Sequence, residues 1–290
     1  MSSATFAERL TSKLMGIERN LAGFATKTAA LGNLKMSYYE NKTSRDKPTL
    51  VLVHGYTADK TMWHRMARLL AKDYHIIAPD MAGHGATPYD SNAKYDIPTQ
   101  VNWLAALLDH IGVNKAHIIG SSMGGFIAAR FALSHPERTL SAVLLDPAGV
   151  TAPELSEIAE AYEHGRNLFL PANEDEFYQF LDMAMEKPPY MPKFIRKALA
   201  RNHLSRVDSY AHIFNDFFDH DFLEDKLGEI KVPVLLIWGR KDKILHVSAV
   251  PIWQAGLPNC KTIIWDDLGH IPSYEAPKRT AKAIRAFTDA

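Results

Sequence analysis

Apolar and polar positions along the chain fall into two kinds of short run, and the two alternate. Thr49 to Val53, Tyr74 to Ala78, Ala116 to Ile119 and Leu140 to Leu145 are nearly continuous apolar runs, the pattern of parallel strands buried on both faces. Between them, Lys60 to Ala71, Thr99 to Ile111 and Met123 to Leu133 carry helical spacing. The alternation resumes with a strand over Val232 to Trp238, a helix over Val247 to Ala255, a strand over Lys261 to Trp265 and a terminal helix from Pro277. Ahead of all these, Phe24 to Ala30 and Leu34 to Tyr39 flank Leu31-Gly32-Asn33 and read as an antiparallel hairpin with a Gly-Asn turn. This order predicts an α/β fold whose mostly parallel sheet is covered by helices on both faces.

Residues 147–231 break the alternation, because they hold no strand pattern. Helical spacing covers Glu154 to Arg166, Glu174 to Met185, Pro192 to Leu204 and Tyr210 to Phe218. A connection far beyond about 15 residues is usually a lid or an added element, and this one reads as an inserted helical cap. Phe169, Phe177, Phe180, Met183, Phe214 and Phe217 are among its many aromatic and methionine positions. Most are expected in the cap's own core, with a minority lining an apolar channel. The chain thus divides into an amphipathic segment (1–24), a core (25–147 and 229–290) and a cap (148–228).

In the first segment, Phe6, Leu10, Leu14, Ile17, Leu21 and Phe24 recur at spacings of three and four, with Arg9, Lys13 and Arg19 among the polar positions. Such a helix either packs on its own domain or a partner subunit, or rests on a membrane surface as a peripheral contact; packing is the favoured reading. No run approaches the roughly 18 apolar residues of a membrane span, and Met1 to Leu10 lacks a signal-peptide apolar core.

Composition narrows the function classes. Of 290 residues, 47% are hydrophobic and 23% charged, which suits a globular chain with one extended core. Thirty-three basic residues balance 33 acidic ones, and no basic run offers a surface for phosphates, so nucleic acid is not an expected partner. The single cysteine, Cys260, cannot form an intrachain disulfide, and a cytoplasmic location is expected.

The chemistry centres on Gly120-Ser121-Ser122-Met123-Gly124, placed between an apolar strand and a helix. In that context G-x-S-x-G marks a strained turn that presents a serine nucleophile, and only Ser122 has glycine at both minus two and plus two. An ordinary helix N-cap serine is the bland reading; it leaves the glycines unexplained. A serine hydroxyl needs a base, and His270 follows the strand Lys261 to Trp265 on a loop at the carboxyl end of the sheet, where ligands bind in α/β folds. His75, His117 and His135 lie in or beside predicted elements and read as structural. No H-E-x-x-H or similar ligand spacing occurs, so neither a metal nor a cofactor is expected.

Asp242 follows Val232 to Trp238 and gives the chain order serine, aspartate, histidine. Asp146 also ends a predicted strand and competes for the role; Asp242 is favoured, with Asp146 assigned to the cap hinge. Asp266 and Asp267 are expected to shape the His270 loop. Two backbone N–H groups should face a tetrahedral oxyanion. Met123 supplies one and Tyr56, in His54-Gly55-Tyr56 after Thr49 to Val53, supplies the other, with His54 bracing the loop. The glycine-rich Asp80 to Gly85 loop is assigned a structural role.

With these residues placed, the chain resembles the α/β-hydrolase superfamily over nearly its whole length after residue 25. Within it the likeness is to bacterial lipases and monoacylglycerol lipases that combine an HG-[FY]-x-A-x-K-x-x-W segment with G-[ST]-S-M-G-G. Here these stand as His54 to Trp63 and Gly120 to Gly125, joined by Pro147-Ala148-Gly149, Ile237 to Asp242 and Gly269-His270. The resemblance implies an esterase or lipase acting on a small-molecule ester or acylglycerol, with Ser122, Asp242 and His270 as the triad and Tyr56 and Met123 at the oxyanion. The alternative within enzymes is a carbon–carbon bond hydrolase of ring-cleavage products, whose members usually carry Gly-Pro-Gly where this chain has Tyr56-Thr57-Ala58. The alternative outside enzymes is a ligand-binding protein on the same fold.

Overall fold

The computed structural model describes residues 6–42 and 45–289. Eight strands form one sheet in the order β1-β2-β4-β3-β5-β6-β7-β8. They are β1 (Phe24–Leu31), β2 (Leu34–Asn41), β3 (Thr49–Val53), β4 (His75–Pro79), β5 (Ala116–Ser121), β6 (Thr139–Leu145), β7 (Val234–Gly239) and β8 (Cys260–Trp265). β1 and β2 pair antiparallel as a hairpin, β2 pairs antiparallel with β4, and the remaining neighbours are parallel. Every residue of β3, β4, β5 and β7 is buried, which explains their unbroken apolar runs.

The helices are α1 (Phe6–Leu21), α2 (His64–Leu70), α3 (Ile97–Ile111), α4 (Met123–Ser134), α5 (Glu157–Glu163), α6 (Glu174–Met183), α7 (Lys193–Leu204), α8 (Val207–Phe217), α9 (Val250–Gly256), α10 (Pro272–Glu275) and α11 (Pro277–Thr288). One sheet face packs against α3, α4 and α9 through residues such as Leu104, Phe126 and Trp253. The other packs against α2 and α11 through Met66, Leu70 and Ile284. α5 to α8 are the helices of residues 147–231, and Tyr210, Ile213, Phe214 and Phe217 of α8 join the core cluster of the first face.

α1 ends at Leu21, and Phe24 opens β1. Ile17 and Leu21, two of the six positions that form the expected apolar stripe, are exposed by 47% and 57%. The helix nonetheless rests on α2, where Arg65 ion-pairs with Glu18 at 3.0 Å. Among the described residues no helix is long and apolar enough to cross a membrane.

Register brings the chemistry to one edge. Val53 pairs with Gly120, Ser121 with Leu145, and Leu145 with Ile237. The loops leaving β3, β5, β6 and β7 therefore emerge side by side.

His64, His84 and His117 are among the buried histidines that no carboxylate of the described residues reaches within hydrogen-bond distance. Burial holds His84 down at about 3, and His64 and His117 at about 4; both ring nitrogens of His64 lack a hydrogen-bond partner. In the unfolded chain each titrates near 6.5, so between those values the unfolded state binds more protons than the folded one. Stability is then full above about pH 6.5 and falls as pH drops toward 4. The expected loss is about 2 kcal/mol per histidine at pH 5, measured as a fall in urea-unfolding free energy from pH 7 to pH 5. No change over that interval would contradict it.

Candidate active site

Ser122 sits between β5 and α4 with φ 57° and ψ −122°, a conformation that side chains other than glycine rarely adopt. Glycines make the turn possible. A Cβ on Gly120 would lie 1.9 Å from the Gly124 carbonyl oxygen, and one on Gly124 would lie 2.1 Å from that of Val53. The turn is tied into the sheet by the Ser122 N–H, which donates to Leu145 O at 3.0 Å.

His270, on the loop after β8, places Nδ1 2.7 Å from Asp242 Oδ2. Asp242 Oδ1 accepts the N–H groups of Ile244 at 2.7 Å and Leu245 at 2.9 Å. Three donors thus fix the carboxylate, and the carboxylate fixes the imidazole with Nε2 as its free face. Ser122 and His270 line the same cavity. The fold therefore gathers Ser122, Asp242 and His270 from three separate loops.

The loop after β3 completes the arrangement. His54 is fully buried, accepts the Met81 N–H on Nε2 at 2.9 Å and contacts Gly55 O through Nδ1 at 2.8 Å. Those partners assign the ring proton to Nδ1. The bracing role read from the sequence corresponds to these two bonds. Gly55 comes so close to the nucleophile that a Cβ there would lie 3.1 Å from Ser122 Cβ. The backbone N–H groups of Tyr56 and Met123 have no hydrogen-bond partner among the described residues, as donors awaiting an oxyanion should. The Tyr56 hydroxyl donates to Tyr210 O of α8 at 2.7 Å. In the Asp80 to Gly85 loop, Asp80 is fully buried, ion-pairs with Lys60 Nζ, and accepts the backbone N–H groups of Lys60 and Ala86 at 2.9 and 2.7 Å.

Asp146 lies closer to Asp242 and His270 than a hinge role implies. Its Oδ1 accepts the Gly239 N–H at 2.7 Å, tying β6 to β7. One ligating atom each from Asp146, Asp242 and His270 lie within 4.8 Å of one another. Burial first, and then the Asp242 charge, push the Asp146 carboxyl well above the usual range. Three N–H groups occupy the Asp242 oxygens, an arrangement that suits an imidazole partner rather than a cation.

A second residue escaped sequence reasoning. Glu275 accepts the N–H groups of Gly269 at 3.1 Å and Ile271 at 3.3 Å, on either side of His270. Asp267, expected to shape the same loop, ion-pairs with Lys187 at 2.7 Å and Arg279 at 2.8 Å.

Two cavities meet at Ser122, of about 260 and 390 Å³. The first runs past His270 to Met15 and Glu18 of α1 and to Tyr190. The second passes over Phe126, Val150, Phe217, Phe222 and Trp238. Tyr56 and Phe169 border both. Among the aromatic residues of 147–231, Phe169, Phe177 and Phe180 line the first cavity with others, and Phe169, Phe214 and Phe217 the second.

A family model described as the alpha/beta hydrolase fold matches residues 48–277. The chain belongs to the α/β-hydrolase family. This hydrolase is 32% identical to Lipase 1 of Psychrobacter immobilis, over 97% of its own length and 89% of that protein. It is 28% identical to a monoacylglycerol lipase of Xenopus laevis, over 93% and 83% of the two chains. Among solved structures, a membrane phospholipase A described as a bacterial virulence factor superposes with a TM-score of 0.94. That protein is 35% identical, with 98% of the hydrolase and 91% of the other chain covered.

Proposed function

We propose that the protein hydrolyses carboxylic esters of apolar acids through an acyl-enzyme on Ser122. The observation that carries this reading is the convergence at Ser122, where the two cavities meet, of the His270–Asp242 pair on the side of the first cavity and the two unpartnered N–H groups of Tyr56 and Met123, residues that border the second. His270 takes the Ser122 proton as the hydroxyl attacks the ester carbonyl. The tetrahedral oxyanion receives the Tyr56 and Met123 N–H groups, and His270 then protonates the leaving alkoxide. Water, activated by the same imidazole, releases the acid.

The two cavities orient the substrate. The leaving oxygen must reach His270, which borders only the first cavity, so the alcohol lies there and the acyl chain enters the second. The aromatic lining of the second suits an alkyl chain. Similarity to lipases and a monoacylglycerol lipase supports medium-chain or monoacylglycerol esters as substrates. α1 makes peripheral contact with a membrane in this reading, since Ile17 and Leu21 are exposed on the helix whose Met15 borders the first cavity. Residues 148–228 act as the cap.

Rates across nitrophenyl esters from acetyl to palmitoyl, and across monoacylglycerols dispersed or held in vesicles, test the proposal. Turnover is expected to rise from acetyl to medium chains and to be higher on vesicle-held substrate. A monotonic fall from acetyl onward would make the protein a short-chain esterase, and equal rates in both presentations would remove the membrane contact.

A further inference from the structure

The chain leaving α6 crosses directly over the loop that carries His270. Met185 lines the first cavity together with His270, and a Cβ on Gly269 would lie 2.7 Å from the Glu186 backbone nitrogen. The two backbones are in contact. Glu275 is the group they share: Oε1 accepts the Gly269 and Ile271 N–H groups at 3.1 and 3.3 Å, and Oε2 accepts the Lys187 N–H at 2.8 Å and shares the Gly269 N–H at 3.2 Å. Exposed ion pairs, Lys241–Glu186 and Lys187–Asp267, both at 2.7 Å, flank the junction. Such pairs contribute little individually, whereas a carboxylate accepting several N–H groups makes charge-assisted bonds of about twice the ordinary strength.

We infer that Glu275 is a positioning residue through which the strap 184–187 holds His270 in register with Ser122. The inference rests on the reading of His270 as the base. Glu275 acts through the peptide groups on either side of the imidazole. With the strap seated, the Lys187 N–H fixes Oε2 and leaves Oε1 aimed at the His270 loop. With the strap lifted, the carboxylate turns toward water, and the loop loses the acceptor that spans its two peptide groups. Substrate entry beneath the strap and engagement of the base thereby become one event.

Lys187 allows a direct test, because its backbone and side chain serve different partners. Lys187→Pro removes the N–H and the ion pair, whereas Lys187→Ala removes only the ion pair. The expected kcat of Lys187→Pro is about tenfold below that of Lys187→Ala, as for one lost hydrogen bond to a charged group, with KM within about twofold. The far-downfield proton resonance of the His270–Asp242 bond should broaden only in the proline variant. Glu275→Gln, which keeps one acceptor oxygen but loses the second and the charge, should fall between wild type and Glu275→Ala. Equal kcat and an unchanged resonance in the two Lys187 variants would overturn the inference; should Lys187→Pro fail to fold, wild-type kcat in both Glu275 variants would do so. Labelling of the wild-type protein by a fluorophosphonate, run first, separates the two levels: no label at Ser122 removes the catalytic reading itself.

Discussion

Ser122→Ala is expected to lower ester hydrolysis by about a millionfold, the scale on which losing the nucleophile of such a triad acts. The oxyanion donors and the cavities remain, so substrate binding should persist while the acyl-enzyme disappears. The fold should survive, because alanine keeps the Cβ, faces the same strained φ of 57°, and gives up no side-chain cap bond. Nitrophenyl ester rates and the melting temperature, read on the same preparation, check both halves. Full activity in a folded Ser122→Ala protein would sink the mechanism.

Asp242→Asn is expected to cost about ten-thousandfold in kcat, and Asp146→Asn less than about tenfold. The asymmetry follows from charge. Asp242 accepts from His270 and must carry the negative charge that stabilises the imidazolium; its amide favours the wrong tautomer, a change that typically costs about 10⁴. Asp146 accepts the Gly239 N–H rather than the imidazole, and burial disfavours its charged form, so an amide of the same shape preserves what it does. Rates of both variants at pH 8 against a medium-chain ester decide the matter. A collapse of activity in Asp146→Asn with Asp242→Asn nearly intact would exchange the roles of the two acids.

That choice shows what can and cannot be read along a chain. The sheet was legible because strands buried on both faces are written as unbroken apolar runs, and β3, β5 and β7 fall within two residues of their expected starts. The helices of the insert were legible in number, but three are shorter than expected and α8 begins three residues earlier, at Val207 rather than Tyr210. α5 begins at Glu157 rather than Glu154, because Ser156 caps it by accepting the Ala159 N–H, a local bond that periodicity does not encode. Ser122, His270 and Asp242 could be picked out because each follows a strand at the same sheet edge. Asp146 satisfies that rule equally well, and only the bond between His270 Nδ1 and Asp242 separates the two acids. Glu275 was illegible for a different reason: its partners are peptide N–H groups, which every residue but proline possesses, so no sequence pattern announces them.

The bond from the Tyr56 hydroxyl to the Tyr210 carbonyl bears on how such a protein can change over evolutionary time. Tyr56 spans the seam: its backbone faces Ser122 while its side chain is fastened to α8. A helical insert exchanged wholesale for another would loosen the Tyr56 loop beneath it unless its helix set a backbone carbonyl at the same place. Inserts on this scaffold are therefore not freely interchangeable parts, and new specificities are reached more readily by point changes along the walls of the cavities than by recombination of whole segments.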